Sequence, residues 1–335
     1  MLRKSDLIVY VVISAQLAFI LYLIFYLFNA KTNAEPETRV AFFGNKIRVH
    51  SPIPGLPNFY EPPESTTVTM GNSEIPGYGS TTYTFNSDTL NEKRDYAVTK
   101  PDSTFRIIEL GDSFVFGAYV NTEDNHAELL EQKLNQSCTA FENYEVLNLG
   151  VTGYDMTYSL ERFKLRGLKY DPDLIAWMVT DGDFYVDQDA FDELYGRRYE
   201  NALKEATQAG EQNADMKYDH YKATLETREE MARIYAKEDI VNKNLKAMLK
   251  MRELYVKPIV IFSAPRALPF EVRQFPNFKE FFKSPDTYLA DSIGNLVDIQ
   301  YIVSATDNHP NKLGSLLIAD NLFDYLTSNN IVPCN

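Results

Sequence analysis

The chain has 335 residues, 44% hydrophobic and 24% charged, with 33 Lys and Arg against 47 Asp and Glu for a formal net charge of -14. That composition belongs to a globular protein and excludes wholesale disorder. The acidic balance disfavours nucleic acid, whose phosphates need clustered cations, and broad adhesion to an anionic bilayer.

The first six residues, MLRKSD, precede a run without charge from Leu7 to Phe28. As a helix this run is roughly 33 Å long, enough to cross a hydrocarbon core. A cleaved signal peptide has a shorter apolar region of about 7 to 15 residues, so the expectation is a transmembrane signal anchor over 7–28. Thr32 and Ala34 leave a small-residue cleavage pattern, and a removed signal sequence is the alternative. Arg3 and Lys4 precede the run, while Lys31 alone follows it closely. The positive-inside rule therefore places residues 1–6 in the cytoplasm and sends residues 29–335 outside.

Residues 29–104 are rich in Pro, Asn, Thr, Ser and Gly, with Pro52, Pro54, Pro57, Pro62, Pro63 and Pro76 interrupting any period. They read as an extended stalk and a wrapping segment, with short strands at most, such as Thr81 to Phe85. From residue 105 the pattern changes. Apolar runs suited to strands occur at 106–110, 145–150, 174–180 and 258–264, with a weaker fifth at 297–302. Helical patterns lie between them, over 123–136 and 156–168. Nearly all-apolar strands alternating with helices predict a parallel sheet covered on both faces, a doubly wound, flavodoxin-like three-layer α/β/α domain over 105–335. Sites in such a sheet lie at the carboxyl ends of the strands. Residues 185–256 contain neither strand nor proline and are expected to be a helical insertion after the third strand. The insertion is placed to cover the site mouth and to select a substrate or protein partner.

The two cysteines, Cys138 and Cys334, either pair in an oxidising compartment or remain separate thiols. No Cys or His spacing resembles a zinc site and no Gly-rich loop carries a P-loop Lys, so no metal or cofactor is expected.

Two motifs could carry chemistry. Gly111-Asp112-Ser113 follows the first strand, where a strand-to-helix turn presents a side chain above the sheet; by itself the tripeptide also reads as an ordinary helix cap. The chain has four histidines. His50, His126 and His220 read most simply as partly exposed surface residues. His309 sits in SATDNHPNKLG, two residues after Asp307 and before a helix over 312–326. Asp307 can orient that imidazole and stabilise its charged form.

Together these residues resemble an SGNH/GDSL hydrolase over 105–335. Gly111, Asp112, Ser113 and Gly117 match the first block of that family, Asn148 and Gly153 the second, and Asp307 with His309 the last. The resemblance implies Ser113 as nucleophile, His309 as general base and then acid, and Asp307 as its orienting carboxylate. It implies the backbone N–H groups of Ser113 and Gly153 as oxyanion donors. In the third block it places Gly182 where the family has an oxyanion-donating Asn, within VTDGDF; Thr180 or a side chain of the insertion would have to substitute. The implied activity is an extracytoplasmic serine esterase or O-acyltransferase. Its substrates would be small-molecule or glycan acyl esters, acetyl esters of cell-surface glycans among them, with attachment to the membrane through Leu7 to Phe28. The alternative is a catalytically impaired binding or scaffold protein on the same fold.

Overall fold

The computed structural model describes residues 47–71, 79–180, 182–210, 218–291, 293, 296, 298–305 and 307–335. Its first strands are short. β1 (Val49–His50) pairs antiparallel with β2 (Tyr60–Glu61), and β3 (Thr66–Gly71) with β4 (Ser80–Phe85). The main sheet comprises β5 (Thr104–Leu110), β6 (Asn143–Asn148), β7 (Leu174–Val179), β8 (Ile259–Ser263) and β9 (Thr287–Ala290). These five strands are parallel in the order β6-β5-β7-β8-β9. That order is the doubly wound one in which the chain turns outward on either side of β5, opening a crevice between the ends of β5 and β7. A further hairpin joins β10 (Ile302–Ser304) to β11 (Asp307–Pro310).

Eight α-helices are described: α1 (Ser113–Phe116), α2 (His126–Ser137), α3 (Met156–Arg162), α4 (Gln188–Gln208), α5 (His220–Ile234), α6 (Lys237–Leu254), α7 (Pro276–Phe281) and α8 (Lys312–Ser328). The strands are apolar on both sides because alternate residues feed two cores. Ile108, Leu110, Ile175, Trp177, Ile259 and Ile261 meet Leu160 of α3, Leu245 and Met248 of α6 and Phe281 of α7. Ile107, Leu174, Ala176, Met178, Val260 and Phe262 meet Leu130 and Leu134 of α2 and Ile318 and Leu322 of α8. This is the expected three-layer α/β/α arrangement.

Four expectations change. The fifth strand is β9 at 287–290, not the run at 297–302. Only Ala290 in β9 is fully buried, so this edge strand lacks the continuous apolar signature. Within 297–302, Ile299–Tyr301 forms a 3-10 turn and Ile302 opens the separate hairpin.

The described part of 29–104 is the wrapping segment of the expectation and not its extended stalk: Ile47, Phe59, Leu90 and Glu92 are almost wholly buried against the rest of the chain. Glu61 pairs with Arg162 and Arg166, Thr89 accepts from Arg162, and Glu92 accepts the Asn148 N–H at 2.7 Å. Single apolar residues among prolines have no period to display, so their burial is decided by tertiary contact.

Third, the insertion is smaller than 185–256. α6 buries Val241, Leu245, Met248 and Met251 against the sheet and is the crossover helix from β7 to β8. The added element is the α4–α5 pair. Fourth, His126 is fully buried, with Nε2 2.7 Å from Glu109.

Cys138 and Cys334 are joined in a disulfide, their Cα atoms 4.3 Å apart, tying the end of α2 to the C-terminal segment. Among the described residues no helix is long and apolar enough to cross a membrane. The run Leu7 to Phe28 lies outside the described residues.

Candidate active site

The site grows from the end of β5. At Gly111 φ is +155°, and an added Cβ would stand 2.6 Å from Val115 Cγ2 and 3.0 Å from the Met178 carbonyl oxygen. Glycine alone lets the chain leave β5 so close to β7. Asp112 caps α1 by accepting the Phe114 N–H at 2.9 Å. Ser113 therefore becomes the first helical residue, 9% exposed, at the crevice. The turn that caps the helix is the one that brings Ser113 to the crevice.

The last hairpin brings the other members. His309 Nε2 lies 2.7 Å from Ser113 Oγ, and His309 Nδ1 lies 2.5 Å from Asp307 Oδ1. The same carboxylate oxygen accepts the His309 backbone N–H at 3.0 Å, so Asp307 grips the ring and its main chain together. The rings of Phe114 and Tyr119 flank the imidazole at 5.1 and 5.4 Å. With Nδ1–H donating to Asp307, Nε2 is left to accept the Ser113 hydroxyl proton, the tautomer a general base needs. Burial works to raise the Asp307 carboxyl, but the hydrogen bonds and charge of His309 outweigh it and hold it below the usual carboxylate range. It stays anionic beside a charging imidazole.

Ser113 and Gly153 both line the crevice. Ser113 heads its helix, where the first N–H groups have no intrahelical carbonyl. The Gly153 N–H makes no hydrogen bond among the described residues. Gly153 has φ +81°, and a Cβ there would meet Arg48 Nη2 at 2.7 Å and the Tyr60 hydroxyl at 2.9 Å, so its glycine is required twice over. Asn148 has a different task. It donates to the Val115 carbonyl at 2.7 Å and accepts the Gly150 N–H at 3.0 Å, locking the loop after β6 onto α1.

Gly182 lines the same cavity, beside Thr180 and Asp183. Among the described residues, a Cβ on Gly182 would meet Thr180 Oγ1 at 3.5 Å, an ordinary contact, and Gly182 itself brings no side-chain donor. Asp183 accepts the Thr180 N–H at 2.7 Å. Burial raises the carboxyls of Asp112 and Asp183, and the charge of Asp112 pushes Asp183 further, well above the ordinary range. Asp181 lies outside the described residues.

The crevice opens into a cavity of about 330 Å³. The α4–α5 pair lines it with Phe191, Asp192, Tyr195, Thr224 and Arg228. Burial pushes Asp192 up to about 7 against the opposing charge of Arg48, and lifts Asp155, also in the wall, to about 6. Sequence reasoning missed Arg48, Tyr60, Asp155 and Asp192. None lies in a motif, and Arg48 and Tyr60 come from the segment read as a stalk and wrapping segment. Among the described residues no three His, Cys, Asp or Glu side chains are placed to hold a metal ion. His50 and His220 stand apart from the triad, bonded to the Pro57 carbonyl and the Tyr195 hydroxyl.

No protein-family model and no curated protein matches the chain. Solved structures are similar to it at low identity. A lipolytic protein of the G-D-S-L family from Desulfitobacterium hafniense is 16% identical, covering 65% of this chain and 97% of its own, with a TM-score of 0.38. The psychrotrophic esterase EstA from Pseudoalteromonas, in a structure inhibited by monoethylphosphonate, is 15% identical over 68% of this chain and 99% of its own, with a TM-score of 0.42. The acetyl xylan esterase AlAXEase is 12% identical over 66% and 100%, with a TM-score of 0.35. Scores this low carry no argument about fold or activity, and the chemistry of the site rests on its own geometry.

Proposed function

We propose that the chain is a serine esterase acting on small acyl esters, acetyl esters foremost, through an acyl-enzyme on Ser113. The observation that carries this is the continuous hydrogen-bonded line Ser113–His309–Asp307, 2.7 and 2.5 Å, at the end of β5. Ser113 Oγ attacks the ester carbonyl as its proton passes to His309 Nε2, and Asp307 stabilises the imidazolium. The oxyanion is received by the N–H groups of Ser113 and Gly153. His309 then returns the proton to the departing alkoxide. Water, or the hydroxyl of an acceptor in a transferase, attacks the acyl-Ser113 by the same route in reverse.

Location and substrate belong to the same reading. The uncharged run Leu7 to Phe28 behind Arg3 and Lys4, and the Cys138–Cys334 disulfide, support a membrane-anchored protein whose site faces an oxidising, extracytoplasmic compartment. The cavity wall mixes the aromatics Tyr119, Phe191 and Tyr195 with Gln188, Asp192 and Thr224. That mixture suits an acylated sugar, whose ring stacks while its hydroxyls bond, better than a long acyl chain. The lack of a side-chain donor on Gly182 favours a second reading, a weakened enzyme retained as a glycan-binding module.

Fluorophosphonate labelling of the folded full chain, with hydrolysis of acetyl, butyryl and octanoyl esters, tests the proposal. Expected are labelling at Ser113, preference for acetyl, and loss of both in Ser113→Ala. A wild-type chain that neither labels nor hydrolyses any ester refutes it in favour of the binding module.

A further inference from the structure

Two side chains from the wrapping segment bond to Thr152, the residue before Gly153. The Thr152 carbonyl oxygen accepts two hydrogen bonds, from the Tyr60 hydroxyl and from Arg48 Nη2, both at 2.8 Å. Arg48 Nε reaches the Thr152 hydroxyl at 3.1 Å, so the guanidinium fork grips that residue at two points. The two donors are themselves locked together. The Arg48 guanidinium lies 4.4 Å above the Tyr60 ring, and β1, which follows Arg48 directly, pairs with β2, which carries Tyr60. The Tyr60 ring packs edge-on against Tyr154 and Tyr158, 5.4 and 5.8 Å away. Thr152, Tyr60 and Arg48 are all buried.

A trans peptide is planar, with its carbonyl and the next N–H pointing in opposite directions. Fixing the Thr152 carbonyl toward Arg48 and Tyr60 therefore aims the Gly153 N–H the other way, toward the crevice. A cation bonded to the carbonyl also draws electron density through the amide and makes that N–H a stronger donor. With no side-chain donor at Gly182, this site depends more heavily on its two backbone donors. Gly153, at φ +81°, has the freedom to flip its peptide, so the orientation needs an external hold.

We propose that Arg48 and Tyr60 are positioning residues that clamp the Thr152–Gly153 peptide and polarise its N–H as an oxyanion donor. The segment ahead of the hydrolase-like domain thereby becomes part of the active site. Its kinetic consequence rests on the esterase reading; the state of the peptide does not.

The test uses Tyr60→Phe, Arg48→Gln and the double variant in the full-length protein, with Tyr60→Phe keeping the ring in its aromatic cluster. Thr152–Gly153 is the one Thr–Gly pair in the sequence. Carbonyl-13C threonine combined with 15N glycine therefore reads that peptide alone by NMR. The expected result is an upfield shift of the Gly153 nitrogen in each variant. With it come a fall of about tenfold in kcat for acetyl ester and in the phosphonylation rate of Ser113 for each single variant, and KM within about twofold of wild type. A rise in KM with kcat unchanged would make Arg48 a substrate contact and overturn the clamp. So would an unmoved Gly153 resonance, or unchanged rates with a moved one. A wild-type chain inert to esters and phosphonate refutes the esterase reading instead, and the Gly153 nitrogen shift then decides the clamp alone.

Discussion

Placing asparagine at position 182 would supply a side-chain donor where Gly182 has none. Two features of the structure make the change tolerable. Gly182 is outside the left-handed region, so its backbone accepts a side chain, and among the described residues an added Cβ meets only Thr180 Oγ1 at 3.5 Å, an ordinary contact. The magnitude follows from two opposing effects. An oxyanion donor is worth roughly 3 kcal/mol in the transition state, from the 10² to 10³ in kcat that removing one costs. Ordering a new polar side chain at a partly open site costs about 1 kcal/mol. The remaining ~2 kcal/mol corresponds to a kcat about 30-fold higher for Gly182→Asn, with KM little changed. The assay is steady-state hydrolysis of an acetyl ester beside the phosphonylation rate of Ser113, with thermal unfolding to verify the fold. Gly182→Ala adds the Cβ without the donor and should give no gain. A folded Gly182→Asn protein no faster than wild type, or an Ala variant equally accelerated, would refute the reasoning.

Three further outcomes are expected. Asp307→Asn leaves the fold intact but releases the imidazole tautomer, and kcat should fall by about 10³ to 10⁴ while KM holds; a loss under tenfold would remove Asp307 from its orienting role. Asp155 is buried and its carboxyl is raised to about 6, so the folded state binds its proton more tightly than the unfolded state. Its stability contribution is therefore intact below about pH 4 and lost as pH rises through about 6, by at most roughly 3 kcal/mol. Melting temperatures between pH 4 and 8 should show this fall and Asp155→Asn should make it shallower, the raised carboxyls of Asp192, Asp112 and Asp183 carrying the rest; a variant with the wild-type slope would assign the proton elsewhere. Glu61→Ala strands the fully buried Arg162 guanidinium, which otherwise bonds Glu61 and Thr89. Urea unfolding should register a loss of about 3 to 5 kcal/mol, and a loss below 1 kcal/mol would show the wrapping segment to be dispensable.

Ser113, and Asp307 with His309, were legible in the sequence because they lie at or shortly before the start of a helix. At such places local chemistry is explicit: Gly111 permits the turn, Asp112 caps the helix, and Asn311 caps α8 just after His309. Gly153 carries no such local sign and was named only through the family resemblance. The strands β5 to β8 announced a two-faced parallel sheet because residues buried on both sides leave an unbroken apolar run. β9 did not, since an edge strand with one buried residue carries no such run.

The remaining parts of the site are matters of tertiary structure. Arg48 is 104 residues from Thr152 along the chain, and Tyr60 is 92, so no local pattern links them to the oxyanion hole. Isolated apolar residues between prolines look like a linker until a neighbouring surface buries them. His126 likewise reads as a surface residue on its helix until Glu109 and Phe262 close around it. Whether the cysteines pair depends on the 4.3 Å between two Cα atoms that the sequence sets 196 residues apart. Sequence alone placed β5 to β8 with the helices between them and singled out Ser113, Asp307 and His309 as the candidate triad, since periodicity and turn chemistry are local. Only the folded chain decided which side chains surround that triad, because long-range packing brings them there and leaves no period in the residues it selects.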